Sequence, residues 1–125
     1  MCLYSTTGKK IAERDIVCYK VLSYWHGNYY TPIMCKRVKN AVLTGRRLFR
    51  GGLFRQKHKY TNYISIEGGY VHVYSSLMNC RWRWSCDECR YYECIIPKGT
   101  EYWISKNGTE MAARKIRFVK RVIFV

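Results

Sequence analysis

A chain of 125 residues with 48% apolar content can bury one hydrophobic core but hardly two, so a single domain spanning 1–125 is expected. Residues 1–10 lack the apolar stretch of a secretory signal, and no run approaches the roughly 20 apolar residues that cross a bilayer, so the expectation is a cytoplasmic protein without membrane contact. The excess of 23 Lys and Arg over 8 Asp and Glu, a formal charge of +15, exceeds what solubility asks for. Self-repulsion of that size is most simply offset by a polyanionic partner, and nucleic acid is the commonest one.

In chain order, Ile16-Val17-Cys18-Tyr19-Lys20-Val21-Leu22 is rich in β-branched residues, has no breaker, and reads as a central strand. His26-Gly27-Asn28 marks a turn, and Tyr29 to Ile33 resumes as a strand whose Pro32 suits an edge or an end. From Ile16 to Ile66 there is no acidic residue. Residues 36–60 instead collect Lys and Arg around Gly45, Gly51 and Gly52, and read as a basic, glycine-containing loop with apolar anchors.

Residues 60–66 and 70–74 read as two further strands. Ser75 or Ser76 is placed to cap a short helix over 77–84, because a hydroxyl there satisfies a free backbone N–H. Residues 90–104 spell a strand, a Pro97-Lys98-Gly99 turn and a second strand. Asn107-Gly108 signals another turn, residues 110–114 suggest one helical turn, and 116–125 alternates basic and apolar residues as a last strand. The fold expected is α+β, mainly antiparallel β, with five to seven strands and one short helix after Tyr74.

The blocks Ile16-Val17-Cys18-Tyr19-Lys20-Val21, Gly69-Tyr70-Val71-His72 with Ser75-Ser76, and Cys94-Ile95-Ile96-Pro97-Lys98-Gly99-Thr100 resemble an uncharacterised family of small proteins from gut anaerobes, their phages and conjugative elements. That resemblance implies a mobile-element setting and no particular activity. Locally, Tyr74-Ser75-Ser76 and Tyr91 to Thr100 are similar to two strands of ADP-ribosyltransferases. In those enzymes a glutamate stabilises the oxocarbenium-like ribose as nicotinamide leaves. The resemblance would put Glu93 and Ser75 in the catalytic places, although Tyr91 stands where that family has Glu or Gln.

Three candidate sites follow. The first is cationic: Lys36, Arg37, Lys39, Arg46, Arg47, Arg50, Arg55, Lys57 and Lys59, with Arg117, Lys120 and Arg121 of the tail. Such side chains neutralise phosphates, and the interleaved Phe49, Phe54, Tyr60 and Tyr63 offer faces for unpaired bases, so single strands or RNA-containing complexes are favoured over duplex readout. The second is the thiol set Cys80, Cys86, Cys89 and Cys94. Its Cys-x2-Cys pair is what a zinc site commonly starts from, whereas buried thiols in strands are ordinary packing, and the expectation is structural cysteines with no cofactor. The third is the Glu93 and Ser75 pair, whose plain reading is a strand carboxylate and a helix cap.

Taken together, the sequence predicts a small non-enzymatic binding protein that engages nucleic acid or a nucleoprotein. The alternatives are a counter-defence inhibitor that binds a host defence protein or a nucleotide signal, and a degenerate ADP-ribosyltransferase-like domain.

Overall fold

The computed structural model describes residues 6–31, 37–38, 42–44, 55–57, 64–66, 71–83 and 85–123. Its strands, in chain order, are β1 (Thr6–Ile11), β2 (Ile16–Trp25), β3 (Asn28–Tyr30), β4 (Arg37–Val38), β5 (Val42–Thr44), β6 (Arg55–Lys57), β7 (Ile64–Ile66) and β8 (Val71–Tyr74). The helix α1 (Leu77–Arg83) follows, then β9 (Cys89–Ile96), β10 (Glu101–Ser105), β11 (Glu110–Ala113) and β12 (Lys115–Val122). Among the described residues the structure is mainly antiparallel sheet with one short helix, as the sequence predicts, though with more strands than the five to seven expected.

Ten strands join one sheet in the order β1-β10-β11-β8-β2-β9-β12-β5, with β3 and β4 added beside β2, while β6 and β7 pair separately. In a flat sheet β1 and β2 would lie four spacings, roughly 19 Å, apart. Only residues 12–15 link them, and those residues are clasped to the link between β9 and β10. Ala12 N–H donates to Thr100 O at 3.0 Å, Gly99 N–H to Ala12 O at 2.8 Å, and Lys98 N–H to Asp15 Oδ1 at 2.9 Å. The sheet therefore has to curl, and the right-handed twist of its strands allows it to.

Inside the curl lie Cys18, Val71, Val73, Cys94, Ile96, Met111, Ala113 and Ile116. Register explains the membership. Cys18 stands opposite Cys94, Ile16 opposite Ile96, Val73 opposite Met111 and Val71 opposite Ala113, so alternate residues of four strands point to one side. On the other side a smaller cluster of Val21, Tyr74, Cys80 and Tyr91 forms where α1 lies against β2, β8 and β9. Ser76 caps α1, its Oγ accepting from Asn79 N–H at 3.2 Å.

Two local expectations change. Residues 90–104 are not a hairpin: β9 pairs with β2 and β12, while β10 pairs with β1 and β11. Gly99, at φ +88°, turns the chain from one part of the curl to another rather than back on itself. The helical turn expected at 110–114 is the strand β11, because Met111, Ala112 and Ala113 are buried between β8 and β10 and serve the sheet. Within the basic segment 36–60, β4, β5 and β6 are strands, and the rest of the predicted loop lies outside the described residues. No helix among the described residues is long and apolar enough to cross a membrane.

Candidate nucleic-acid interface

β12 carries the most regular cationic surface among the described residues. Arg117 stands opposite Ile95 and Phe118 opposite Cys94, and a register shift between Phe118 and Lys120 then sets Lys120 opposite Glu93 and Arg121 opposite Tyr92. Unbroken alternation would turn Val119, not Lys120, to the side of Lys115 and Arg117. The irregularity brings Lys115, Arg117 and Lys120 onto one face, and sends Arg121 to the other with Ile116 and Phe118. All four cations are exposed, and none forms an ion pair with a described carboxylate. Glu93, half-buried between Tyr19 of β2 and Lys120 of β12, is the acidic neighbour on that face.

The Arg121 face continues into aromatic rings. Phe118 meets Tyr92 edge-on at 5.5 Å between centroids, Tyr92 meets Tyr29 edge-on at 6.0 Å, and Tyr29 meets Tyr24 at 5.1 Å. The run crosses from β12 through β9 and β3 to β2. Such pairs each contribute about 0.5–1.5 kcal/mol beyond their buried area, which is enough to hold the rings in place. Its inner end, Phe118 and Tyr92, packs on the core, and its outer end, Tyr24, is exposed. Arg90 lies over the Tyr24 ring at 5.3 Å, and Arg37 of β4 donates to Asn28 Oδ1 at 2.6 Å. Burial and the hydroxyl contact with Tyr29 push the Tyr92 phenol up to about 12, while Arg121 and Arg90 pull the other way. The phenol is therefore a neutral donor near two guanidinium groups. At the hairpin tip, His26 at φ 48° and Gly27 at φ 80° form the left-handed two-residue turn that favours a tight hairpin, leaving Trp25 58% exposed.

Of the cations predicted from sequence, Arg37, Arg117, Lys120 and Arg121 are on the surface. Arg55 and Lys57 fall on β6, and Lys36, Lys39, Arg46, Arg47, Arg50 and Lys59 lie outside the described residues, as do Phe49, Phe54, Tyr60 and Tyr63. Sequence reasoning missed Tyr24, Tyr29, Tyr92, Phe118 and Arg90 as one surface. The signal in the sequence was the abundance of 12 Tyr, but only strand register brings these particular rings together.

The thiols separate. Cys86 and Cys89 are joined by a disulfide, whereas Cys80, Cys94 and also Cys18 are buried free thiols. Among the described residues no group of three or more His, Cys, Asp or Glu side chains is arranged to hold a metal ion. Burial pushes the Cys18 and Cys80 thiols up to about 12 and raises Cys94 as well, so these groups stay protonated and inert. Between them Lys20 is nearly closed to solvent, its Nζ donating to His72 O at 2.8 Å, and desolvation lowers it to about 8. His72 Nε2 is buried without a hydrogen-bond partner, and desolvation together with the Lys20 charge lowers it to about 3.

Glu93 and Ser75 are not on neighbouring strands. Tyr19 of β2 pairs with Glu93 on one side and Tyr74 on the other, so β2 runs between the two positions. The Ser75 hydroxyl donates to Thr109 O at 3.3 Å. Family models, curated proteins and solved structures all give no match to this chain.

Proposed function

We propose that this protein is a non-enzymatic, cytoplasmic nucleic-acid-binding protein that takes single-stranded segments along the cationic face of β12. The observation that carries the reading is the exposed row Lys115, Arg117 and Lys120 on one face of β12; Arg121, exposed on the opposite face, adjoins the Phe118-Tyr92-Tyr29-Tyr24 run. Residues 115 and 117 are spaced at two strand steps, roughly 7 Å. Point charges at that spacing neutralise successive backbone phosphates and release their counterions, which favours binding without naming a sequence. Aromatic rings add contacts to unpaired bases whatever their identity. Tyr24, exposed at the outer end of the ring run, is the ring a base on the Arg121 face reaches first. The +15 charge of the whole chain adds long-range attraction and speeds encounter.

The test is fluorescence anisotropy with labelled single-stranded RNA and DNA. Replacing Lys115, Arg117 and Lys120 together by alanine should weaken binding at least tenfold for every sequence tried, with the fold unchanged. Unaltered affinity in that variant, or no binding by the native protein at low salt, removes the proposal.

A further inference from the structure

The exposed turn between α1 and β9 carries chemistry that the binding surface does not use. Cys86 and Cys89 are bonded across three positions, with Cα atoms 5.2 Å apart. Cys86 is exposed and Cys89 is half-buried at the first position of β9. Hydrogen bonds hold the turn alongside the sulfur bridge. Cys89 N–H donates to Cys86 O at 3.1 Å, Arg90 Nη1 donates to Asp87 O at 2.6 Å and to Cys89 O at 3.1 Å, and Tyr24 N–H donates to Glu88 O at 2.8 Å. Four hydrogen bonds, one of them from the neighbouring strand β2, tie the turn together besides the bridge, and would keep the two cysteines side by side when it opens.

We propose that Cys86 and Cys89 form a reversible dithiol–disulfide couple that exchanges with a dithiol donor in solution, opening and closing while the rest of the fold stays native. A bridge over so short a loop removes little freedom from the unfolded chain, so the fold does not depend on it. Exposure gives an incoming thiolate a path to the Cys86 sulfur, and exposed bridges are the exchangeable ones. The other free thiols of the described region cannot compete. Cys18, Cys80 and Cys94 are buried, and burial raises all three, so none supplies a thiolate to rearrange the bridge.

The exchange balances as follows. One thiolate of the donor attacks Cys86 Sγ, a mixed disulfide forms, and Cys89 leaves as a thiolate that takes a proton from water. The donor's second thiolate then attacks its own sulfur in the mixed disulfide, closes the donor's ring and releases Cys86, which is protonated in turn. The donor is oxidised by two electrons and the protein reduced by two. Running the steps backwards with an oxidised donor reforms the bridge.

The experiment equilibrates native protein in buffers of reduced and oxidised dithiothreitol, quenches with acid, alkylates, and maps the labelled peptides by mass spectrometry. Far-ultraviolet circular dichroism is recorded on each sample. The expected result is joint labelling of Cys86 and Cys89 that moves from about a tenth to about nine tenths over a hundredfold change in the donor ratio. Cys18, Cys80 and Cys94 should stay unlabelled, the dichroism constant, and the label should be lost when the ratio is reversed. A bridge that opens only when denaturant unfolds the protein overturns the proposal, as does a pair that opens and fails to close again. Labelling of Cys86 and Cys89 to different extents at equilibrium overturns it too, since a couple must gain or lose both thiols together.

Discussion

Two lysines of the same sheet show how differently one residue type is used. Lys20, in the middle of β2, is buried with its ammonium on a single carbonyl and three thiols nearby, and its charge is costly enough to lower it to about 8. Lys120, two strands away on β12, is exposed, shares a face with Arg117 and Lys115, and makes no ion pair with a described carboxylate. In a charge count they are equal. The structure separates a cation that strains the core from cations free to meet a partner, and only the second kind supports polyanion binding.

The comparison can be broken at either end. The largest effect is expected in the core itself: Ile96→Ala removes a fully buried side chain and should cost about 4 kcal/mol, read from urea unfolding. A cost under about 1 kcal/mol would mean that the curl is loosely packed. Acid comes next. His72 is lowered to about 3 in the fold against 6.5 when unfolded, so as pH falls below 6.5 the unfolded chain takes up the proton first and stability drops. Between pH 6.5 and 4 the native protein should lose roughly 3 kcal/mol more than His72→Leu does.

Lys20 gives the alkaline counterpart with the opposite sign. Its folded value lies below its unfolded one, so its contribution to stability should rise from about pH 7 as the native state sheds the proton. From about pH 8.5 the three thiols, raised in the fold, should reverse the trend because the unfolded chain ionises them first. Lys20→Met should raise stability at pH 7 by about 2 kcal/mol and abolish the rise below about pH 8.5. A variant less stable than the native protein would show that the ammonium holds β2 to β8 through His72 O. The smallest effect is at the helix cap, where Ser76→Ala should cost about 1 kcal/mol in thermal or urea unfolding.

Much of the fold is legible in the residues alone. Ile16 to Leu22 announces a strand through β-branched density, Ser76 announces its cap, and Gly27 its turn, because each is a local signal with a local cause. Register is not legible. The hairpin expected at Pro97-Lys98-Gly99 fails because a turn signal does not say which strands pair after it. Met111-Ala112-Ala113 looks helical by propensity, yet burial between two strands decides the matter. The candidate site divides in the same way. Arg117, Lys120 and Arg121 are found by charge alone, whereas the irregularity that puts Lys120 beside Arg117, and the ring run from Phe118 to Tyr24, depend on partners distant in sequence.

The central claim is that the outward cations of β12 meet phosphate, and the salt dependence of single-strand binding tests it most directly. Log affinity against log salt should fall linearly, and alanine at Lys115, Arg117 and Lys120 should flatten the slope by about 2, at roughly 0.7 for each phosphate no longer neutralised. A slope identical in native and triple-variant proteins would contradict the account.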